Sequence, residues 1–218
     1  LALLTGLDPR HHGVAGRGQE LDPAVETPLE ALAAAGWRTA GHAGEGTENF
    51  RNLGFQAEID RERPLEALSS LGGRSFLWLH LRQIHAPYDA SVERLRALGL
   101  PDALPASPIL DRARTSVTVP RGDFPGHHDW LRGPIAALYD AEVADADAAL
   151  GAILDRLDAF GLTDRVLLVL SADHGEELLE LDGIGHASTN LDAPFADVLL
   201  RIPLLIRFPD RRRAGEIQ

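Results

Sequence analysis

Four residues, each at or soon after the end of an expected strand or in the adjoining loop, carry most of the chemistry this sequence offers. Asp173 and His174 follow the run Val166-Leu167-Leu168-Val169-Leu170 and two small residues. A carboxylate and an imidazole therefore stand side by side where a strand is expected to end, a donor pair suited to a divalent cation. The continuation Gly175-Glu176-Glu177 suits a turn as well, and the pair by itself is a weak signal. His85 opens His85-Ala86-Pro87-Tyr88, a few residues past the apolar run Phe76-Leu77-Trp78-Leu79-His80-Leu81. Proline stiffens that loop, and the imidazole suits donation to an anionic oxygen or general acid catalysis, although packing on Tyr88 would use it equally well. His186 ends Gly183-Ile184-Gly185-His186, where glycine lets backbone approach a ligand. His12, directly before Gly13, reads as a structural turn residue. His11, His42, His127 and His128 have no identifiable partner in the sequence.

Helix-like and strand-like segments alternate along the chain, the pattern of an α/β fold with a mainly parallel sheet flanked by helices. Thr27-Pro28-Leu29-Glu30 predicts a capped helix start with proline in the first turn, and Gly36 predicts its end. A strand is expected from Trp37 to Ala40, a short helix from Pro64 to Leu71, and strands at Phe76 to Leu81, Val166 to Leu170 and Pro203 to Phe208. The first two apolar runs among these strands read as parallel strands covered on both faces. Open α/β sheets bind ligands at the carboxyl ends of their strands, which is where residues 173–177 fall. The proline- and glycine-rich stretch from Pro101 to Gly133 predicts a long surface excursion. After it, Tyr139, Val143, Ala146, Leu150, Ile153, Leu157 and Phe160 recur at spacings of four and three, marking one apolar face of a long helix. Asp140, Asp145, Asp155 and Asp158 line a solvated opposite face. Arg211-Arg212-Arg213 reads as a solvated turn.

The 218 residues suffice for one sizeable domain with a core, so a single domain over 1–218 is expected. Twenty-one basic against 33 acidic residues give a net charge of −12, which argues against a nucleic-acid groove or a polybasic membrane patch. A small anionic substrate remains compatible, because local cations or a metal hold such a ligand and salt screens distant charge beyond ~8 Å. With no cysteine there is neither a disulfide framework nor a thiolate metal site, and no compartment can be read from redox chemistry. No segment has the ~20 apolar residues of a membrane-spanning helix. The sequence begins at Leu1 and contains no methionine, so the expectation is that the protein's own start lies elsewhere.

Taken in order, these segments resemble the sulfatases of the alkaline phosphatase superfamily. Leu3-Leu4-Thr5-Gly6, Pro9 and His12-Gly13-Val14 resemble the segment that follows the sulfatase nucleophile. Phe76 through Tyr88 resembles the strand leading into a His-x-Pro-Tyr loop, and Tyr139 through Gly151 the long helix. Ser171 through Glu177 resembles a Ser-Asp-His-Gly-Glu metal loop, and Leu200 through Phe208 the strand that follows. The resemblance implies an N-terminally truncated α/β domain in which Asp173 and His174 are metal ligands, His85 binds substrate, and His186 stands where relatives place a lysine or histidine against the substrate's anionic group. The implied cofactor is a divalent metal ion, Ca²⁺ favoured, with Mg²⁺, Mn²⁺ or Zn²⁺ open. The implied reaction is hydrolysis of a small sulfuric ester, with phosphate or phosphonate ester hydrolysis and noncatalytic binding as alternatives. The family's nucleophile, its arginine and its paired aspartates would precede Leu1, so the chain by itself is expected to be inactive. Gly44-Glu45-Gly46-Thr47 stands where many sulfatases carry Gly-Lys-Trp-His, which leaves the substrate subclass open.

Overall fold

The computed structural model describes residues 1–14, 16, 19–42, 52–60, 64–70, 72–116, 118–120, 122–123, 126–186, 197–209, 212 and 214–217. Residues 44–47 lie outside this set. The chain forms two compact units. One contains Leu1–Leu81 and Asp155–Phe160, the other Arg82–Leu154 and Gly161–Gln218.

In the first unit, helices α1 (Ala2–Thr5), α2 (Pro9–His12) and α3 (Pro28–Ala34) precede strand β1 (Arg38–His42). The ends of α3 are set by local chemistry. Thr27 accepts the Glu30 backbone N–H at 3.2 Å while the Glu30 carboxylate accepts that of Thr27 at 2.9 Å, so two otherwise orphaned donors are satisfied reciprocally. Past the other end, Gly36 adopts φ +80°, a left-handed conformation that glycine reaches without steric cost. Strand β1 is central, parallel to both β2 (Ala57–Glu58) and β3 (Ser75–Leu79), with Arg38 opposite Ser75 and Ala40 opposite Ala57. The expected parallel sheet is thus present in this unit, and the helix predicted before it comprises α4 (Pro64–Ala67) and a 3₁₀ turn. Leu4, Val14, Leu21, Leu29 and Leu53 form the core, with Phe55, Phe76 and Trp78 packed on it. His12 is buried and its Nδ1 accepts the Val14 backbone N–H at 3.1 Å, a turn contact that matches its structural reading.

The second unit contains α5 (Val92–Ala97), α6 (Pro108–Ala113), α7 (Arg132–Ala159, ending in the first unit), β4 (Leu168–Ser171), β5 (Glu177–Leu178), β6 (Ile184–Gly185), α8 (Asp197–Leu200) and β7 (Leu204–Arg207). Its core joins Tyr88, Leu95, Leu131, Ile135, Leu138 and Ile184. Three expectations are corrected here. Among the described residues strand β4 pairs antiparallel with β7 where a parallel partner was expected, and its Val169 is 55% exposed. An apolar run reveals strand-forming tendency without the direction of its partner. The stretch from Pro101 to Gly133 is not a surface excursion, because Ile109, Leu110, Ala113, Val119 and Leu131 are core residues. Pro108 occupies the first turn of α6, where its missing N–H costs nothing. Finally, α7 buries Ile135, Leu138, Ala141, Ile153 and Leu157, while Val143 and Phe160 are exposed. Its four aspartates are exposed as expected.

Candidate active site

Beyond β4 the chain turns at Ala172 into the Asp173-His174 pair. The Asp173 carboxylate accepts the His174 backbone N–H at 3.1 Å, and its other oxygen lies 3.7 Å from His174 Nε2. His174 Nδ1 stands 2.8 Å from the Gly175 carbonyl, which can only accept, so Nδ1 carries a proton and Nε2 is the ring nitrogen left for a metal in the neutral form. Gly175 is required for a steric reason. Its N–H donates to the Leu199 carbonyl at 2.9 Å, and a Cβ at this position would lie 1.8 Å from the Val198 carbonyl oxygen. The loop bearing both candidate ligands is thereby seated directly on α8.

The next segment is a hairpin in which β5 and β6 pair Glu177 with Gly185 and Leu178 with Ile184. Its turn places Leu179 and Asp182 at φ +69° and +65°. Glu177 offsets that conformation: only 1% exposed, its Oε1 accepts the backbone N–H groups of Leu181 and Gly183 at 3.1 and 2.9 Å. Continuing the antiparallel register outward by one residue sets Glu176 opposite His186, and Glu176 Oε1 lies 3.3 Å from His186 Nδ1. The Glu176 side chain is 8% exposed and that of His186 17%, whereas Asp173 is 67% exposed.

His85 enters from a different loop. Its backbone N–H donates to Arg82, its Nδ1 donates to the Ala86 carbonyl, and the Ala86–Pro87 peptide is cis. The His85 ring meets the His186 ring edge-on at 5.3 Å, and the His174 ring lies 4.4 Å from that of His186. Three of the four sequence-selected residues therefore form one cluster around His186, and Asp173 joins it through His174. The group whose donor atoms approach most closely is His174, Glu176 and His186, all within 4.8 Å of one another. Sequence reasoning gave Glu176 no role and did not identify Glu177 as the residue that holds the hairpin. It also passed over Tyr88 beyond its packing. That residue is fully buried, edge-on to Tyr139 at 5.7 Å, and its hydroxyl has no well-formed hydrogen bond among the described residues. Burial, and after it the nearby Glu176 carboxylate, raise the Tyr88 hydroxyl far above the ordinary phenol range and displace Tyr139 in the same direction. Tyr88 is thus a neutral O–H donor beside Glu176.

A family profile described as Sulfatase matches residues 62–218. An ulvan-active sulfatase of Formosa agariphila is 33% identical over 76 residues, which cover 33% of this chain and 13% of that protein. The phosphonate monoester hydrolase of Agrobacterium radiobacter superposes on 95% of this chain with a TM-score of 0.62 at 18% identity. A Bacteroides fragilis protein assigned to the sulfatases does so over 95% with 0.63 at 17%. The chain spans 57% and 56% of these two structures, and at such identities the likeness establishes the fold. Among the described residues, no helix is long and apolar enough to cross a membrane.

Proposed function

The chain belongs to the sulfatase family, and from that premise we propose that the protein carrying it hydrolyses small sulfuric esters with a divalent cation as cofactor. The observation that supports this most is the joining of His85, His174 and His186 into one cluster from separate loops, all within the matched segment. The donor chemistry fits a divalent ion. His174 offers the Nε2 lone pair, and the exposed Asp173 carboxylate beside it offers oxygen. In this reading Asp173 and His174 are two of the ligands, and a bound ion supplies positive charge toward the ester oxygens.

His85 and His186 contact the substrate's anionic group. His85 Nδ1 already donates to the Ala86 carbonyl, so donation to an ester oxygen uses Nε2 and the doubly protonated, cationic ring. Such a cation stabilises negative charge growing on the oxygens as the ester bond breaks, and its own backbone contact holds it in place beforehand. His186 Nδ1 faces the Glu176 carboxylate at 3.3 Å, which orients that ring as well. The nucleophile is supplied by a part of the protein outside these residues. We assign the 218-residue chain no turnover of its own.

A second reading, phosphonate or phosphate ester hydrolysis, draws on two observations. Residues 44–47 lack the lysine and histidine of the Gly-Lys-Trp-His segment, and phosphonate monoester hydrolases share the fold. The two readings separate in one assay. The whole protein, chelated and then reloaded with Ca²⁺, Mg²⁺, Mn²⁺ or Zn²⁺ in turn, is given an aryl sulfate and an aryl phosphonate monoester. Faster metal-restored turnover of the sulfate supports the first reading, and faster turnover of the phosphonate replaces it with the second. No turnover of either under any ion would leave a noncatalytic binding protein.

A further inference from the structure

We propose that Tyr88 is a positioning residue for His186: its hydroxyl donates to the Glu176 carboxylate, and that carboxylate holds the Nδ1 edge of the His186 ring so that contact with the substrate anion falls to Nε2. The inference rests on the proposed role of His186 toward that anion and extends it to a residue that touches neither substrate nor metal. It starts from a hydroxyl out of keeping with its surroundings. Tyr88 is fully buried, and its O–H makes no well-formed hydrogen bond among the described residues. A buried donor left unpaired is costly, whereas phenylalanine would fill nearly the same space without that cost. The Glu176 carboxylate lies within reach of the hydroxyl. Its side chain is only 8% exposed, so it in turn needs donors in place of water.

The backbone is anchored on both sides, which leaves side-chain rotation to be set. Tyr88 donates its backbone N–H to the Ala113 carbonyl at the end of α6 at 3.0 Å, and its ring packs edge-on against Tyr139 of α7 at 5.7 Å. Glu176 and His186 stand one residue outside the Glu177–Gly185 pair, on a hairpin that Glu177 closes through the N–H groups of Leu181 and Gly183. All of these residues belong to the second unit. Glu176 Oε1 lies 3.3 Å from His186 Nδ1. A charge-assisted N–H···O⁻ bond is shorter, ~2.7–2.9 Å, and hydrogen bonds at active sites commonly tighten once substrate is bound. A carboxylate free to turn would let the ring turn with it. An O–H donor behind the carboxylate fixes the oxygen presented to Nδ1, as outer-shell partners do for the groups they support. Tyr88 also follows His85 in the same loop, and the His85 ring meets that of His186 at 5.3 Å. One loop thereby sets both histidines, His85 directly and His186 through Tyr88 and Glu176.

The test uses the whole protein loaded with Ca²⁺ or Mg²⁺, and it reads the ring as well as the reaction. NMR of ¹⁵N-labelled histidine reports the two His186 ring nitrogens through the carbon-bound ring protons, with the signals assigned by their loss in His186→Gln. Circular dichroism and thermal melting verify folding, and Tyr88→Phe should melt at the wild-type temperature or slightly above it, because it removes an unpaired buried hydroxyl. In the wild type Nδ1 should carry the proton; Tyr88→Phe and Glu176→Ala should both shift the ring toward a mixture of tautomers. Turnover of whichever aryl ester the wild type prefers should fall about tenfold in kcat/KM in Tyr88→Phe and about a hundredfold in Glu176→Ala. Adding Tyr88→Phe to Glu176→Ala should cost less than about twofold more, because the hydroxyl acts through the carboxylate. A folded Tyr88→Phe protein with wild-type ring signals would overturn the proposal, and so would full additivity of the two substitutions. Unchanged turnover in His186→Gln would instead refute the substrate role of His186, while the ring signals still decide whether Tyr88 holds it.

Discussion

Replacing Gly175 by alanine tests whether the loop that carries Asp173 and His174 is held by α8. The added Cβ would lie 1.8 Å from the Val198 carbonyl oxygen, 2.9 Å from its carbon and 3.2 Å from Leu199 Cα. These are backbone atoms and cannot rotate away, so loop and helix must separate by roughly 1.5 Å to reach even a close contact. Overpacking of this kind costs ~1–3 kcal/mol, and the separation stretches the 2.9 Å hydrogen bond from Gly175 N–H to Leu199, worth ~1 kcal/mol more. The expected loss is about 2–4 kcal/mol, between one and three powers of ten in the folding equilibrium. Gly36→Ala is an informative contrast, because that glycine has φ +80° and open space around its Cβ position. Its cost is conformational, about 1–2 kcal/mol, and leaves the site untouched. Urea denaturation followed by circular dichroism measures both. A G175A chain within ~0.5 kcal/mol of wild type would refute the contact between the Asp173–His174 loop and α8.

Three further outcomes follow from the same structure. Glu177→Ala leaves the Leu181 and Gly183 N–H groups without their acceptor, and should lower stability by about 2–4 kcal/mol in urea titrations, with Glu177→Gln much milder because an oxygen still accepts. Thr27→Ala removes the cap of α3 and its bond to the Leu53 carbonyl, for an expected loss of about 1–2 kcal/mol by the same method. The Glu142 carboxyl is raised by burial first and by Asp89 and Asp145 next, so its ionised form disfavours the fold above that raised value, and the penalty is relieved as pH falls through it. Glu142→Gln should therefore raise the melting temperature slightly near neutral pH, by no more than ~0.5 kcal/mol equivalent for a half-exposed group, and the gain should vanish on acidification.

What was legible in the sequence was local. Thr27, Glu30 and Gly36 mark both ends of α3 because capping and left-handed glycine are decided by residues a few positions apart. The direction of β4 was not legible, since Leu168 to Ser171 find their partner in Leu204 to Arg207, more than thirty residues on. Pro108 misled for a related reason: proline both breaks and begins helices, and only the burial of Ile109 and Leu110 decides between them. At the site, His85 and His174 could be selected by type and position after apolar runs, and His186 by the glycines before it. Glu176 could not, because its relation to His186 depends on a two-residue hairpin register, and its relation to Tyr88 spans most of the second unit. Gly175 looked like a turn residue and is instead a point of backbone contact.

Aryl sulfate turnover by the whole metal-loaded protein, wild type against His85→Ala and His174→Ala, tests the central claim most directly. Both histidines belong to the ring cluster around His186, so each variant, folded by circular dichroism, should lose at least about a hundredfold in kcat/KM. His174→Ala should also lose bound metal in proportion. Wild-type turnover retained in both variants would contradict the assignment of this cluster as the active site.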